Sequence, residues 1–233
     1  AYIDYVFSIK KRYEKQIKHS NMHTSEYLDD WKDKHMLGNY PNKEVDILEV
    51  PNIITDYFHI NKDKYYFKDR GIELKHFIDA SNWRDFFNCK TAYEFGSGRG
   101  PRVYAMNICG IDTYGYEISK WAVEHKLIDK ISQFDITDES FFEPRDLVVC
   151  YDVLEHIPLD KLGSAIENLI NASEKYILIS VPVIGDPNLT NDKTHKIHKT
   201  KEEWIKLFTD KNLKLIKTPE HFLYSQQVMI FEK

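Results

Sequence analysis

Ala92-Tyr93-Glu94-Phe95-Gly96-Ser97-Gly98-Arg99-Gly100 is the most informative segment of this 233-residue chain. A short apolar run, typical of a buried β-strand, leads into three glycines spaced two residues apart, and a helix is predicted to follow. Glycine lets the backbone turn sharply and leaves room for a ligand beside the main chain. The amino terminus of the helix then offers unpaired N–H groups to a negatively charged group. The segment therefore predicts a strand–loop–helix unit that binds a ligand.

Strand and helix patterns alternate from about residue 90 to the carboxyl end. Two of the strand patterns are near-continuous apolar runs, as expected for parallel strands that are buried on both faces. The seven candidate strands are Thr91–Phe95, Tyr114–Ile118, Ile131–Ile136, Leu147–Val153, Tyr176–Val183, Leu213–Lys217 and Val228–Phe231. Thr200 and Glu203 form the pattern of a capping box at the start of a helix. The alternation predicts the α/β class, with a Rossmann-like, seven-stranded, doubly wound sheet.

The first part of the chain has a different character. Polar, aromatic-rich patterns near residues 3–19 and 24–36 predict two helices, so we divide the chain into an N-terminal helical extension, residues 1–89, and a ligand-binding domain, residues 90–233. Two interpretations of the extension stay open. It either covers the sheet or forms a lid over the active site that carries Trp31, His35 and Tyr40.

Three acidic residues lie at the ends of the first three predicted strands. Glu94 precedes the first glycine by two residues. Glu117 ends the second strand, near the roughly 20-residue spacing at which a carboxylate reaches ribose hydroxyls. Asp135 ends the third strand, where a short acid can accept a hydrogen bond from an adenine amine. An adenosine ligand with a cationic amino-acid tail would use all three carboxylates.

Glu94–Gly100 resembles the first motif of class I S-adenosylmethionine-dependent methyltransferases, and Tyr116–Ser119 is similar to their second motif. Tyr151–Pro158 (YDVLEHIP) resembles the stretch after the fourth strand in the small-molecule branch of that family. The likeness runs from about Lys90 to the carboxyl end. It implies a Rossmann-like fold, S-adenosylmethionine as cofactor, and methyl transfer to a small-molecule substrate.

The resemblance also implies which residues contact the cofactor. They are Glu94, Gly96 and Gly98 at the methionine moiety, Glu117 at the ribose, Asp135 and Ile136 at the adenine, and Tyr151 and Asp152 toward the substrate, with Ser97 and Ile118 as further cofactor contacts. In this assignment Glu94 helps to hold the ammonium group, and Ile136 contributes its backbone.

Histidines near the implied site are candidates for a general base, because an ordinary imidazole titrates near neutral pH. His195 stands five residues before the Thr200 cap, where related enzymes often place a histidine, and His156 follows the fourth strand. We predict these two as the catalytic candidates. No metal site is predicted. The spacing of His195 and His198 is not that of a metal site unless a carboxylate completes it, and nothing in the sequence assigns that role to the candidates Asp186 and Asp192.

Other nucleotide-binding families fit less well. Nicotinamide dehydrogenases use G-x-G-x-x-G, whereas this chain has G-x-G-x-G. Tyr151-Asp152-Val153-Leu154 stands where amino-group DNA and RNA methyltransferases usually carry an Asn/Asp-Pro-Pro-aromatic motif. An RNA or protein methyltransferase, an aminopropyl transferase and a non-catalytic cofactor-binding module stay open as alternatives.

Composition and charge limit the partners and the setting. The net charge of −5 disfavours nucleic acid, no apolar run is long enough to span a membrane, and three scattered cysteines indicate a reducing, cytoplasmic setting. Eight lysines lie in the segment from Lys193 to Lys217. They either form the solvated face of a helix and an edge strand or bind an anionic substrate. A general similarity to methyltransferases of polysaccharide pathways suggests a sugar or phosphorylated metabolite of a cell-surface polysaccharide pathway. Oligomeric state is not readable from the sequence.

Overall fold

The computed structural model describes residues 72, 74–186, 189, 192, 194–223 and 227–233. The two helices predicted before residue 37, and the lid carrying Trp31, His35 and Tyr40, lie outside the described residues. Lys193, the first lysine of the basic stretch, also lies outside them.

Seven strands form one mixed sheet, and each overlaps a predicted strand. In chain order they are β1 Thr91–Phe95, β2 Asp112–Glu117, β3 Ile131–Gln133, β4 Arg145–Tyr151, β5 Ser173–Ser180, β6 Lys214–Ile216 and β7 Val228–Glu232. The sheet order is β3-β2-β1-β4-β5-β7-β6. The first five strands are parallel, and β7 runs antiparallel to both β5 and β6. The predicted Rossmann-like seven-stranded sheet is confirmed.

Helices connect the strands and cover both faces of the sheet. In the described part of the chain they are α1 Leu74–Phe87, α2 Pro101–Ile108, α3 Lys120–Glu124, α4 Leu162–Ala172 and α5 Lys201–Thr209, with a 3₁₀ turn at Leu154–His156. The capping box at α5 is present. The Glu203 amide donates to Thr200 Oγ1 at 3.2 Å, and the Thr200 amide donates to Glu203 Oε2 at 2.7 Å.

The core consists of two apolar layers, one on each face of the sheet. Alternate residues of β4 enter opposite layers, because successive side chains of a strand point to opposite faces. Val148 and Cys150 pack with α4 and α5, whereas Leu147 and Val149 pack with α1 and α2. The chain's three cysteines are buried and form no disulfide, and Cys150 is a core residue rather than an accessible thiol.

β3, β4 and β5 each end two or three residues earlier than their apolar patterns predict, and β5 ends at Ser180 rather than at Val183. β3 stops at Gln133, and Asp135 lies in the turn that follows, where its Oδ1 accepts from both the amide and the hydroxyl of Thr137 at 2.8 Å. Such a turn, closed by an aspartate side chain, competes with strand pairing. β4 stops at Tyr151, because Asp152 adopts a φ of 55°, which is outside the strand region.

Helix α1 lies before the predicted domain boundary at residue 90, yet it packs against α2. Its side chains Phe77 and Trp83 are each 1% exposed within the core. The boundary stays a prediction, but the described core includes residues on both sides of it. Within the described ranges, no helix combines the length and the apolar character that a membrane span requires.

Candidate active site

The site lies at the edge of the sheet where β1, β2, β3 and β4 end. These strands are neighbours and parallel, and the register pairs Phe95 of β1 with Tyr116 of β2 and with Cys150 of β4. The same edge of the sheet therefore carries Gly96, the Glu117 carboxylate and Tyr151. Open α/β sheets bind ligands in the crevice outside the carboxyl ends of their strands.

The glycine loop after β1 is held against β2 by its main chain. The amides of Gly96 and Ser97 donate to the carbonyl of Tyr116 at 2.8 and 3.1 Å. Gly96 has a φ of 74°, and a Cβ there would lie 2.1 Å from Val153 Cγ2. Gly98 has a φ of 55°, and a Cβ there would meet nothing within 4 Å. Gly96 is therefore required for packing, whereas Gly98 borders open space.

The Glu117 carboxylate lies directly beside this loop. It is 5% exposed, and its two oxygens accept from the amides of Gly98 at 2.7 Å and Ser119 at 2.9 Å. Burial raises the pKa of Glu117, while these amide donors favour its charged form. The neighbouring Ile118 is fixed through its carbonyl, which accepts from the side chain of Gln133 at 3.1 Å.

Asp135 and Ile136 follow β3 at the same edge. Asp135 uses Oδ1 for the turn at Thr137, and among the described residues its Oδ2 makes no hydrogen bond. The carbonyl of Ile136 accepts from the Asn168 side chain at 2.7 Å. The Ile136 amide is therefore the backbone group of this pair that could reach a ligand.

Glu94 belongs to a buried charged cluster that the sequence did not predict. Its Oε1 accepts from Arg102 at 2.6 Å, and the same guanidinium lies 3.6 Å from Asp79 of α1. The guanidinium also lies 4.3 Å from the ring centre of Tyr151. Burial raises the pKa of Glu94, and it raises the pKa of Asp79 to about 7. No local sequence pattern relates Asp79 and Arg102, which lie on separate helices.

Tyr151 is the last residue of β4, and Asp152 follows it. Tyr151 is buried, whereas Asp152 is exposed and has a left-handed backbone. The Asp152 amide donates to the carbonyl of Ser180 at 2.8 Å, and its Oδ1 accepts from the Ser180 hydroxyl at 3.3 Å. These bonds hold Asp152 to the last residue of β5.

The structure brings the two predicted catalytic histidines together. The rings of His156 and His195 are 4.8 Å apart, and the Nε2 atom of each lies 3.9 Å from Oε1 of Glu155. Burial, with the adjacent His195, lowers the pKa of His156 to about 4, which makes it a weak base at neutral pH. His198 is exposed and outside this group.

Glu155 is the member of this group to which the sequence assigned no role. It stands inside the motif Tyr151–Pro158, next to His156, so a signal was present. Its partner His195 is 40 positions further along the chain. The backbone explains the contact, because the amides of Lys196 and Ile197 both donate to the carbonyl of Glu155, at 2.7 and 3.1 Å.

Comparison with known proteins agrees with this fold. A family model described as a methyltransferase domain matches residues 72–217. No curated protein matches the sequence. The match confirms the family that the sequence motifs predicted, and it includes α1.

Three solved structures illustrate the likeness of fold. DesVI of Streptomyces venezuelae is 14% identical, with 78% of this chain and 98% of that chain covered, at a TM-score of 0.56. Magnesium protoporphyrin IX methyltransferase (ChlM) from Synechocystis PCC 6803, with bound SAH, is 17% identical over 78% of this chain and 97% of that chain, at 0.55. A SAM-dependent methyltransferase from Archaeoglobus fulgidus is 15% identical over 68% and 94%, at 0.53.

Proposed function

This chain belongs to the methyltransferase domain family, and on that basis we propose that it transfers the methyl group of S-adenosylmethionine to an oxygen or nitrogen atom of a small molecule. The observation that carries the proposal is the open space beside Gly98, which is bordered by the buried Glu117 carboxylate. A ligand in that space would lie against a glycine backbone and reach a fixed acceptor for ribose hydroxyls.

The proposed cofactor contacts follow from the order of the strands. Glu117 accepts from the ribose hydroxyls, and Asp135 Oδ2 with the Ile136 amide meets the adenine. The methionine moiety lies along Gly96 and Gly98. Oε2 of Glu94 is buried, and it has no hydrogen-bond partner in the part of the chain described by the structure. It is therefore suited to the cofactor ammonium group.

Methyl transfer is an in-line displacement. A lone pair of the acceptor forms a bond to the methyl carbon, the carbon–sulfur bond breaks, and the sulfonium leaves as a neutral thioether. A hydroxyl acceptor also loses its proton, either to one of the candidate bases His195 and His156 or to water. The protein's main task is to hold the acceptor atom and the methyl carbon in line, which can supply several kcal/mol.

We place the acceptor between Asp152 and the pair His156 and His195, beyond the methionine end of the cofactor. The exposed Lys196 follows His195, and its charge acts on His156. A cation there suits an anionic acceptor, such as a sugar phosphate or another phosphorylated metabolite of a cell-surface polysaccharide pathway. The three buried cysteines, none of them in a disulfide, suit a reducing cytoplasm.

The acceptor class can be tested by adding the protein and methyl-labelled S-adenosylmethionine to a cell extract. We expect the label in the low-molecular-weight fraction, in a product that anion-exchange resin retains. Label in RNA or protein would contradict the small-molecule proposal. A label-free extract, with cofactor binding intact, would indicate a non-catalytic module.

Glu117→Gln tests the proposed ribose contact, because it keeps the size of the side chain and removes its charge. Calorimetric titration should show S-adenosylmethionine binding weakened by about 1–3 kcal/mol, the cost of losing hydrogen bonds to a charged acceptor. Glu124→Gln, on the exposed surface of α3, should bind like the wild type. Equal affinity in the two variants would remove Glu117 from the proposed ribose contact.

A further inference from the structure

Glu155 is a buried carboxylate with no hydrogen-bond donor at its oxygens in the part of the chain that the structure describes. The residue is 1% exposed, and in the described part of the chain neither of its carboxylate oxygens has a hydrogen-bond partner. Buried charges in proteins are normally paired or bound to metal ions. The nearest polar atoms to Oε1 include Nε2 of His156 and Nε2 of His195, both at 3.9 Å, which is too far for a hydrogen bond.

The hydrogen bonds of His195 determine where its proton is. Its Nδ1 lies 3.1 Å from the carbonyl oxygen of Leu189, which can only accept. Nδ1 therefore carries the hydrogen, and in the neutral ring Nε2 presents a lone pair.

His156 has the same tautomer for a less direct reason. Its Nδ1 lies 2.7 Å from Thr194 Oγ1, and that hydroxyl donates its single hydrogen to Oδ1 of Asp192 at 2.7 Å. Since the hydroxyl has no second hydrogen to give, it accepts from Nδ1 of His156. Nε2 of His156 therefore also presents a lone pair toward Glu155.

Two imidazole lone pairs and a carboxylate thus converge on one point, and a cation would satisfy all three. We propose that Glu155, His156 and His195 bind one divalent first-row transition-metal ion. Their ligand atoms all lie within 4.8 Å of one another. An ion with bonds of about 2.1 Å would draw such atoms to separations of about 3.0–3.5 Å, a closure of roughly 1 Å.

The surroundings have the features of a built metal site. Each histidine is held through Nδ1 by a second residue, as metal-ligating histidines usually are. The main-chain bonds from Lys196 and Ile197 to Glu155 fasten the His195 segment to the turn that carries the other two ligands. Two imidazoles and one carboxylate are a ligand set that leaves coordination positions open for a substrate or water.

The ion would also have a role in the proposed methyl transfer, at the acceptor hydroxyl. Bound at this point, it would supply a Lewis acid that binds an acceptor hydroxyl and lowers its pKa. This narrows the acceptor to a compound that offers an oxygen ligand. The hydroxyl proton would pass to solvent water, because the two histidines would be metal ligands and no longer general bases. The role in catalysis rests on the proposed function, whereas the ion site rests on the geometry of the three side chains.

The test is calorimetric titration of Zn²⁺, and separately Mn²⁺, into chelator-treated full-length protein without a histidine tag and without cofactor. Co²⁺ absorption provides a second readout that reports the ligands directly. We expect one ion per chain, with affinity reduced at least about 30-fold in Glu155→Gln and in His195→Ala. The exposed His198→Ala is the matched control and should bind like the wild type.

Thr194→Val tests the positioning of His156 and should weaken binding by about 10- to 100-fold without removing a ligand. Glu155→Gln should fold at least as well as the metal-free wild type, because it removes a buried charge, so its loss of metal binding cannot be attributed to unfolding. Absence of stoichiometric binding, or equal binding in Glu155→Gln and His198→Ala, would overturn the proposal. Cofactor binding by the metal-free protein, measured separately, distinguishes this failure from failure of the proposed function.

Discussion

Gly96 and Gly98 share a left-handed backbone but have different surroundings. A Cβ at Gly96 would lie 2.1 Å from Val153, a branched side chain that cannot move away easily, whereas a Cβ at Gly98 would meet nothing within 4 Å. The spacing of the glycines identified both positions as important. Only the packing of Val153 separates a glycine needed for folding from one suited to ligand contact.

Gly98→Ala should therefore lose cofactor binding while the protein stays folded. We expect a stability cost of about 1–2 kcal/mol from the left-handed backbone, together with cofactor affinity lowered at least tenfold, because the new methyl group occupies the ligand space. Gly110→Ala is the matched control, since Gly110 has a φ of 90° and equally open surroundings away from the site.

Gly96→Ala should lose more stability than Gly98→Ala, because of the added clash, and less of its cofactor affinity. Thermal unfolding and calorimetric titration of the three variants separate these effects. Unchanged cofactor binding in Gly98→Ala would mean that the cofactor does not lie against this glycine.

Helices α1 and α2 and strand β1 meet at the buried guanidinium of Arg102. Two carboxylates, from Asp79 and Glu94, lie beside this guanidinium, and the charge of Lys75 also acts on Asp79. With both carboxylates charged, the buried cluster would carry a net negative charge, so one proton is favoured on it near neutral pH. Burial accordingly raises the pKa of Asp79 to about 7, from an ordinary value near 3.8.

This raised pKa makes the packing of α1 dependent on pH. Between about pH 4 and 7 the folded chain holds the Asp79 proton, whereas the unfolded chain has released it. The contribution of Asp79 is therefore fully present below about pH 4 and is lost as pH rises through about 7. Relative to Asp79→Asn, which stays neutral, the wild type should lose on the order of a few kcal/mol in its free energy of unfolding over this range.

Chemical denaturation of both proteins at pH 5 and pH 8 measures the difference. Asp85→Asn, at an exposed position on the same helix, controls for the general effect of removing an aspartate. A difference between the wild type and Asp79→Asn that does not change with pH would show that Asp79 is ionised in the folded protein. Arg102 would then balance both carboxylates.

The alternation of strands and helices in the sequence begins at about residue 90, but the packed core includes residues on both sides of that position. Phe77 and Trp83 of α1 are each 1% exposed, and Asp79 reaches the cluster under the glycine loop. The methyltransferase family match also begins at residue 72. The boundary was placed at 90 because the strand–helix alternation starts there, and an isolated helix before it has no such signal.

Two truncated chains test which boundary is correct. Residues 72–233 should fold cooperatively, whereas residues 90–233 should be unfolded or aggregated, because removing α1 exposes the apolar face of α2 and leaves Arg102 without one of its two carboxylates. Circular dichroism and thermal unfolding provide the comparison. Equal stability of the two chains would support the boundary at residue 90.

Most of the fold was readable from local patterns. The glycine loop, the seven strands and the Thr200 capping box depend on neighbouring residues, and the structure agrees with each of them. The ends of β3 and β4 were missed, because the turn at Asp135 and the left-handed Asp152 depend on hydrogen bonds that an apolar pattern does not record.

Contacts between distant segments were not readable in this way. Glu155 and His195, or Asp79 and Arg102, become partners only when the sheet brings their elements together, and no periodicity in the chain relates them. The motifs therefore sufficed to predict the family and the fold, because a turn and a strand pattern are local properties. The convergence of two histidines on a buried carboxylate depends on packing, so it emerged only from the folded arrangement.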